Sequence, residues 1–216
     1  MLKDKNNLFI DFDGTIVDIA DRHYATYVAS IASVSDAKPI DKDLYWRLKR
    51  SDAQWNEILS INNTSHLEKK FISKFIDTIE TMDMLRRDKL FKGAKEFINK
   101  VKFSNNVYLV SLRRNHSNLL MQLEYLGLND TFDKVLSGHS DTKAGTLLKK
   151  ADVIQGLGLS SQGVMIGDTE ADIVASKELG FRVIAVTSGI RDNKFLRQYT
   201  PDELVAGIGA INTSKL

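Results

Sequence analysis

Short apolar runs that stop at a small polar or acidic residue, separated by stretches of helical periodicity, constrain this chain most. Leu8-Phe9-Ile10 stops at Asp11, Val107-Tyr108-Leu109-Val110 at Ser111, Val164-Met165-Ile166 at Gly167-Asp168, and Val183-Ile184-Ala185-Val186 at Thr187. Lys134-Val135-Leu136, ending at Ser137, is a weaker run of the same kind. Such runs read as buried strands whose C-terminal ends lie at the polar residue. Between them, Asn115 to Leu126 places Leu119, Leu120, Leu123 and Leu126 at helical spacing before Gly127. Lys143 to Leu157 does the same with Leu147, Leu148, Val153 and Ile154, and Ala171 to Leu179 ends at Gly180. Strands alternating with helices predict an α/β fold, a three-layer Rossmann-like core with a parallel sheet between helices.

One stretch breaks the alternation. From about Asp18 to about Arg87 there is no strand pattern, and residues 20–34, 41–50, 52–61 and 65–85 read as helices. The last carries Leu67, Phe71, Ile72, Phe75, Ile76 and Ile79 on one stripe. The expected organisation is therefore an α/β catalytic core from residues 1–17 and 88–216, with residues 18–87 inserted as an all-helical cap. Open α/β sheets bind ligands outside the carboxyl ends of their strands, which is where a cap would lie. Trp46, Trp55 and Phe71 are expected in the interior of the cap.

Composition narrows the function. A chain of 216 residues suits one core domain with an insertion, or one large domain. Lys and Arg number 30 against 28 Asp and Glu, a formal charge of +2 that argues against a dedicated nucleic-acid binder. The absence of cysteine excludes disulfides, thiolate zinc sites and cysteine nucleophiles. No apolar run approaches the roughly 18 residues of a membrane span. Met1 to Lys5 leads almost at once into the first strand pattern and does not read as a signal peptide. These features lead to the expectation of a soluble cytoplasmic protein, monomer or homodimer, without membrane or nucleic-acid partners.

In a parallel sheet the strand ends bearing Asp11, Ser111, Ser137 and Asp168 share one edge. Asp11 and Asp168, with Asp13 close by, make a hard oxygen site of the kind that suits Mg²⁺. In Asp11-Phe12-Asp13-Gly14-Thr15, Asp11 sits where a carboxylate can attack a phosphorus atom in line. Asp13, two residues on, returns to the same side and can protonate a leaving oxygen, and Gly14 permits the tight turn off the strand. Pairing carboxylates also helps push one pKa up for general-acid work. The plainer alternative is that these aspartates only form a turn.

The sequence resembles the haloacid dehalogenase-like superfamily, in particular the subgroup with a helical cap after the first strand, and most of all its phosphoglycolate phosphatases. The four motifs of that family can be placed in order. They are Asp11-Phe12-Asp13-Gly14-Thr15-Ile16-Val17-Asp18, then Leu109-Val110-Ser111, then a lysine, then Gly167-Asp168-Thr169-Glu170-Ala171-Asp172. Lys143, 24 residues before Gly167, is the choice for the lysine; Lys149 and Lys150 are rivals that fall inside the expected helix. Ala144 follows Lys143 where the family often has proline. The resemblance implies that Asp11 is the nucleophile and forms an aspartyl-phosphate, with Asp13 as acid toward the leaving group and then base toward water. It implies that Ser111 hydrogen-bonds the phosphoryl oxygens and that Lys143 offsets negative charge. It further implies Mg²⁺ on Asp168, the Asp11 carboxylate and the Asp13 backbone carbonyl, with Asp172 supporting the metal shell or the lysine.

The weaker members have plainer readings: Ser111 as a cap on the next helix, Lys143 as a solvated lysine, Asp172 as an exposed helix residue. His23, Arg113 and Arg114 are candidate substrate contacts, or else surface charges. Lys49 and Arg50 sit between two expected cap helices, where the cap would face the site, and read as solvated charges in preference to site contacts. His66, His116 and His139 lack metal-ligand spacing and read as surface residues. The implied activity is a phosphatase acting on a small phosphorylated metabolite. The alternative is a phosphosugar mutase such as β-phosphoglucomutase. That group tends to have an acidic residue where Gly167 stands and to lack Asp172. A catalytically silent phospholigand-binding relative is a third reading.

Overall fold

The computed structural model describes residues 5–138, 149–158 and 162–216. The chain opens with β1 (Asn6–Ile10) and the two-residue β2 (Val17–Asp18). Five helices follow: α1 (Ala20–Val34), α2 (Lys42–Arg50), α3 (Trp55–Ser60), α4 (Glu68–Ile79) and α5 (Met82–Leu85). Next come β3 (Lys89–Leu90), α6 (Ala94–Val101), β4 (Asn105–Ser111), α7 (His116–Tyr125) and β5 (Lys134–Ser137). The chain continues through α8 (Lys150–Gln155), β6 (Gly163–Gly167), α9 (Glu170–Leu179), β7 (Arg182–Val186), α10 (Asn193–Arg197) and β8 (Glu203–Val205).

The main sheet has the order β5-β4-β1-β6-β7-β8, and every neighbouring pair is parallel. The chain fills one side of β1 with β4 and β5, then crosses to the other side for β6, β7 and β8. β1 is thus the point where the winding reverses, and the crevice beyond its C-terminal end is where such sheets bind ligands. Register carries the polar strand ends to one level. Ile10 pairs with both Leu109 and Ile166, and the Asp11 amide donates to the Ile166 carbonyl at 2.9 Å.

Side-chain alternation along the strands builds two cores. Leu8, Ile10, Val107, Leu109 and Ile166 face α6 and α7, whereas Phe9, Val110, Met165 and Val183 face Ile154 of α8 and Ile173 of α9. The Phe9 ring stacks on Tyr108 and Phe181, each 5.1 Å away. The expected three-layer α/β architecture is borne out.

The helical stretch has an apolar cluster of its own, built on Tyr27, Ile31, Tyr45, Ile58, Leu59, Phe71 and Phe75. Phe71 is fully buried and Trp46 and Trp55 pack against the cluster, as expected. The expected helix over 65–85 is divided: Ser65–Leu67 form a 3₁₀ turn, α4 ends at Ile79 and α5 begins at Met82, and between them the Glu80 carbonyl accepts from Asn118 Nδ2 at 2.7 Å while its carboxylate takes the Arg114 and Asn115 amides. Sequence patterning does not pick out α6, α10 or β8: α10 and β8 span only five and three residues, whereas α6 does carry a buried apolar face of Ala94, Phe97, Ile98 and Val101. Of the expected helix over 143–157, only the part from Lys149 falls within the described residues, and there Lys149 is extended and α8 begins at Lys150.

Candidate active site

Beyond the C-terminal end of β1 lies a cavity of about 260 Å³ whose lining includes Asp11, Asp13, Arg22, His23, Ser111 and Lys150. Asp11 continues β1 and Asp168 continues β6, which sets the two carboxylates side by side. The Thr15 hydroxyl stands 3.3 Å from both Asp11 Oδ2 and Asp168 Oδ1. One hydroxyl has one proton to donate, so it satisfies only one of them at a time. Asp168 Oδ2 accepts the Ile190 amide at 2.6 Å. Gly14, with φ +82, makes room: a Cβ there would lie 2.1 Å from Asp168 Oδ2.

The ammonium that reaches this cluster belongs to Lys150. It donates to Asp11 Oδ1 at 2.6 Å and to Asp172 Oδ1 at 2.5 Å. Asp172 Oδ2 in turn accepts the Thr169 amide at 3.0 Å and hydroxyl at 2.7 Å, tying the start of α9 to the lysine. Three buried carboxylates thus face one ammonium. Burial pushes Asp11 up to about 7, against the pull of Lys150 and helped by the charge of Asp172. Burial and then the charges of Asp11 and Asp172 carry Asp168 well above its ordinary value. Lys150, despite its burial, is held above the ordinary lysine value by Asp11 and Asp172. The excess negative charge and the oxygen-only donor set, with one oxygen from each of Asp11, Asp168 and Asp172 all within 4.8 Å of one another, fit a hard divalent cation. Both Asp172 oxygens have donors of their own in Lys150 and Thr169, whereas Asp11 Oδ2 and Asp168 Oδ1 share the single Thr15 proton, so one of these two always lacks a donor and Asp11 and Asp168 are the better ligands.

Asp13 lies in a different electrostatic setting. Arg113 donates from Nε to Asp13 Oδ2 at 2.7 Å and from Nη2 to Oδ1 at 2.6 Å, and Arg22 also pairs with Oδ1. Burial alone would raise its pKa, but Arg113 and Arg22 hold it well below the usual carboxylate range. The expectation that pairing raises one carboxyl for general-acid work is therefore corrected: Asp13, the expected acid, is held low by the arginines, and the carboxyl that is raised is Asp11, chiefly by burial. Behind the arginines sits Asp88, 3.2 Å from Arg22 Nε and 3.6 Å from Arg113 Nη2.

The sequence model of the haloacid dehalogenase-like hydrolases matches residues 8–186. The chain belongs to that family. A phosphoglycolate phosphatase from Mesorhizobium japonicum is 22% identical over 217 residues, covering 94% of this chain and 92% of the relative. A solved haloacid dehalogenase-like hydrolase from Streptococcus pneumoniae superposes with a TM-score of 0.75 at 20% identity, over 94% of this chain and 95% of that one. A β-phosphoglucomutase from Clostridium difficile gives 0.62 at 19% identity, over 98% of this chain and 95% of that one.

With the family shown, the expected site residues of this haloacid dehalogenase-like hydrolase can be placed. Asp11, Asp13, Ser111 and His23 line the cavity, and Asp168 lies against Asp11. Ser111 does not cap the next helix: Asn115 does, accepting the Asn118 amide at 2.9 Å. Asp172 is fully buried rather than exposed. Lys143 and His139 lie outside the described residues. Lys150 was set aside as helix-interior, but α8 starts at Lys150, so its side chain leaves the first turn toward the strand ends. Asp152, whose carboxylate accepts the Lys149 amide at 3.1 Å, is the helix-start signal that could have found it.

Arg113 is not available to a substrate in this arrangement: it is buried on Asp13 and Gln122. Arg114 is exposed and contributes its backbone amide to Glu80. His66 is exposed as expected, whereas His116 is half-buried with Nδ1 2.9 Å from Ser137 Oγ. Arg22, Asp88 and Thr15 were given no role in the sequence, since a charge or hydroxyl on a buried helix face or turn has the same letter as one in solvent.

Proposed function

We propose that this hydrolase is a Mg²⁺-dependent phosphatase that cleaves a small phosphomonoester through an aspartyl-phosphate on Asp11. The observation that carries the reading is a carboxylate on the cavity wall, Asp11, held by Lys150 and set beside a second, uncompensated carboxylate, Asp168. Asp11 attacks phosphorus as the ester P–O bond breaks, and the departing oxygen takes a proton through Asp13. Water then attacks the aspartyl-phosphate, gives its proton to Asp13 and frees inorganic phosphate. Ser111 is placed to hydrogen-bond the phosphoryl oxygens, and Lys150 is the lysine that offsets their charge. Asp11 and Asp168, with the Asp13 backbone, would hold Mg²⁺, which supplies the positive charge that lets an anionic phosphate approach a carboxylate.

For Asp13 to serve the leaving oxygen, one of its arginine contacts must be released. Residues 18–87 act in this reading as a cap over the core of residues 1–17 and 88–216. Arg22, His23, Ile79 and Glu80 of that segment line the cavity, which supports the assignment.

The mutase alternative is disfavoured by one contact. A Cβ on Gly167 would lie 2.0 Å from Asp172 Cγ, so the acidic residue of the mutases cannot stand there while Asp172 holds Lys150. The experiment is phosphate release from a panel of phosphoglycolate, hexose and pentose phosphates and nucleotides, with and without Mg²⁺. Mg²⁺-dependent release lost in Asp11→Asn is expected. No release from any member by folded protein with Mg²⁺ present overturns the reading, and an isomerised phosphosugar would favour the mutase.

A further inference from the structure

The loop after β7, residues 187–192, touches the helical segment on one side and Asp168 on the other. On the first side the Arg50 guanidinium, at the end of α2, donates from Nη2 to the Thr187 carbonyl and from Nη1 to the Gly189 carbonyl, each at 2.7 Å. The contact is reciprocated: the Asp192 amide donates to the Arg50 carbonyl at 3.0 Å, and Arg191 Nη1 to the Lys49 carbonyl at 2.9 Å. On the other side the Ile190 amide donates to Asp168 Oδ2 at 2.6 Å, and Ser188 Oγ to the Gly14 carbonyl at 3.2 Å.

The two sides share one peptide group. The carbonyl that accepts from Arg50 is that of Gly189, and the N–H that donates to Asp168 is that of Ile190. A trans peptide is planar, so fixing the direction of its C=O fixes the direction of its N–H. A guanidinium on the carbonyl also polarises the unit and strengthens the bond its N–H makes. Gly189 has no side chain because there is no room for one: a Cβ would sit 2.0 Å from Asp168 Oδ2. That same lack leaves the backbone at Gly189 free to turn this peptide plane unless something holds it.

We propose that Arg50 is a positioning residue for Asp168. It locks the Gly189–Ile190 peptide so that docking of α2 on the core and cation binding at Asp11 and Asp168 are coupled. The inference rests on the metal reading given above and adds a residue to it that touches neither substrate nor metal. Coupling is reciprocal: what docking does for the cation, the cation does for docking. Both tryptophans of the chain, Trp46 and Trp55, flank Arg50, so their emission reports on α2 directly.

The test is Mg²⁺ binding by calorimetry, with tryptophan emission followed in the same titration, on wild type, Arg50→Ala, Arg50→Lys, Arg47→Ala and Asp168→Asn. Arg50→Ala is expected to bind Mg²⁺ about 10-fold more weakly, to lose the emission change, and to regain its kcat at saturating Mg²⁺. Arg50→Lys, which keeps the charge but cannot fork across two carbonyls, falls between and carries the test if Arg50→Ala does not fold. Arg47→Ala matches wild type. Unchanged Mg²⁺ affinity in folded Arg50→Ala or Arg50→Lys overturns the inference and leaves the metal reading intact. Absence of any Mg²⁺ binding to wild type that Asp168→Asn removes overturns both.

Discussion

Arg113 grips the carboxylate of Asp13 through two parallel hydrogen bonds, from Nε to Oδ2 and from Nη2 to Oδ1. The same guanidinium reaches Gln122 Oε1 at 2.5 Å and lies 5.0 Å above the Phe12 ring. The residue two positions after the proposed nucleophile is thereby anchored to the end of β4 and to α7. Removing the fork strands buried charge. Arg113→Ala is expected to cost about 3–5 kcal/mol, a Tm lower by roughly 10 °C, and Arg113→Lys to recover only part of it. A thermal unfolding curve of Arg113→Ala overlying that of wild type would contradict this.

The lysine assignment separates cleanly by substitution. Lys150→Met removes the ammonium from Asp11 and Asp172 and is expected to lower kcat about 1,000-fold, in line with the loss of a preorganised charge at a reacting centre. Lys143→Met is expected to retain most activity. The opposite ranking in steady-state rates would return the role to Lys143.

Asp88 gives the fold a pH dependence of its own. Burial, opposed by Arg22 and reinforced by Asp13, pushes its carboxyl up to about 6, and Gln122 and Arg113 complete its surroundings. A carboxyl raised in the folded state binds more protons there than in the unfolded chain. The stability it contributes is full below about 4 and is lost as pH rises through about 6. Relative to Asp88→Asn, wild type should therefore lose about 1–3 kcal/mol between pH 4 and pH 6.5, read from urea unfolding at each pH. A pH-independent difference between the two proteins would refute the assignment.

Gly167 and Asp172 compete for one volume, since a Cβ on the first lies 2.0 Å from Cγ of the second. Gly167→Asp alone should displace Asp172 from Lys150 and reduce kcat about 100-fold. Combining it with Asp172→Ala should restore about 10-fold, because the new carboxylate then occupies the vacated place; the two effects are coupled, not additive. A double variant no better than Gly167→Asp would show that the carboxylates are not interchangeable.

How much of this was legible in the sequence depends on the range of the interaction. The strands around Ile10, Leu109 and Ile166 show as local apolar runs, and Asp11 and Asp168 follow because each continues its strand. Gly14 announces a turn within its own neighbourhood. Arg22, Asp88 and Arg113 could not be assigned in the same way. Their partners lie up to 100 positions away, and a helix such as α1 places Arg22 inward with Thr26 and Ser30 on a polar stripe that resembles a solvated face. Lys150 is not singled out for a local reason: α8 begins at Lys150, after an extended Lys149, so this lysine lies in a first turn and not in a helix interior.

The chain leaves β1 for the helical segment and comes back through adjacent rungs of one ladder, Val17 opposite Leu90 and Asp18 opposite Lys89, with the Phe91 amide on the Ile16 carbonyl at 2.9 Å. Mechanically this is arranged as a pin joint rather than a pair of separate tethers. Two strands held side by side resist sliding and splaying but yield to torsion, so any movement of the helical segment against the sheet is expected to run about one axis. A single distance between labels, one on α2 and one on α9, would then describe the whole excursion.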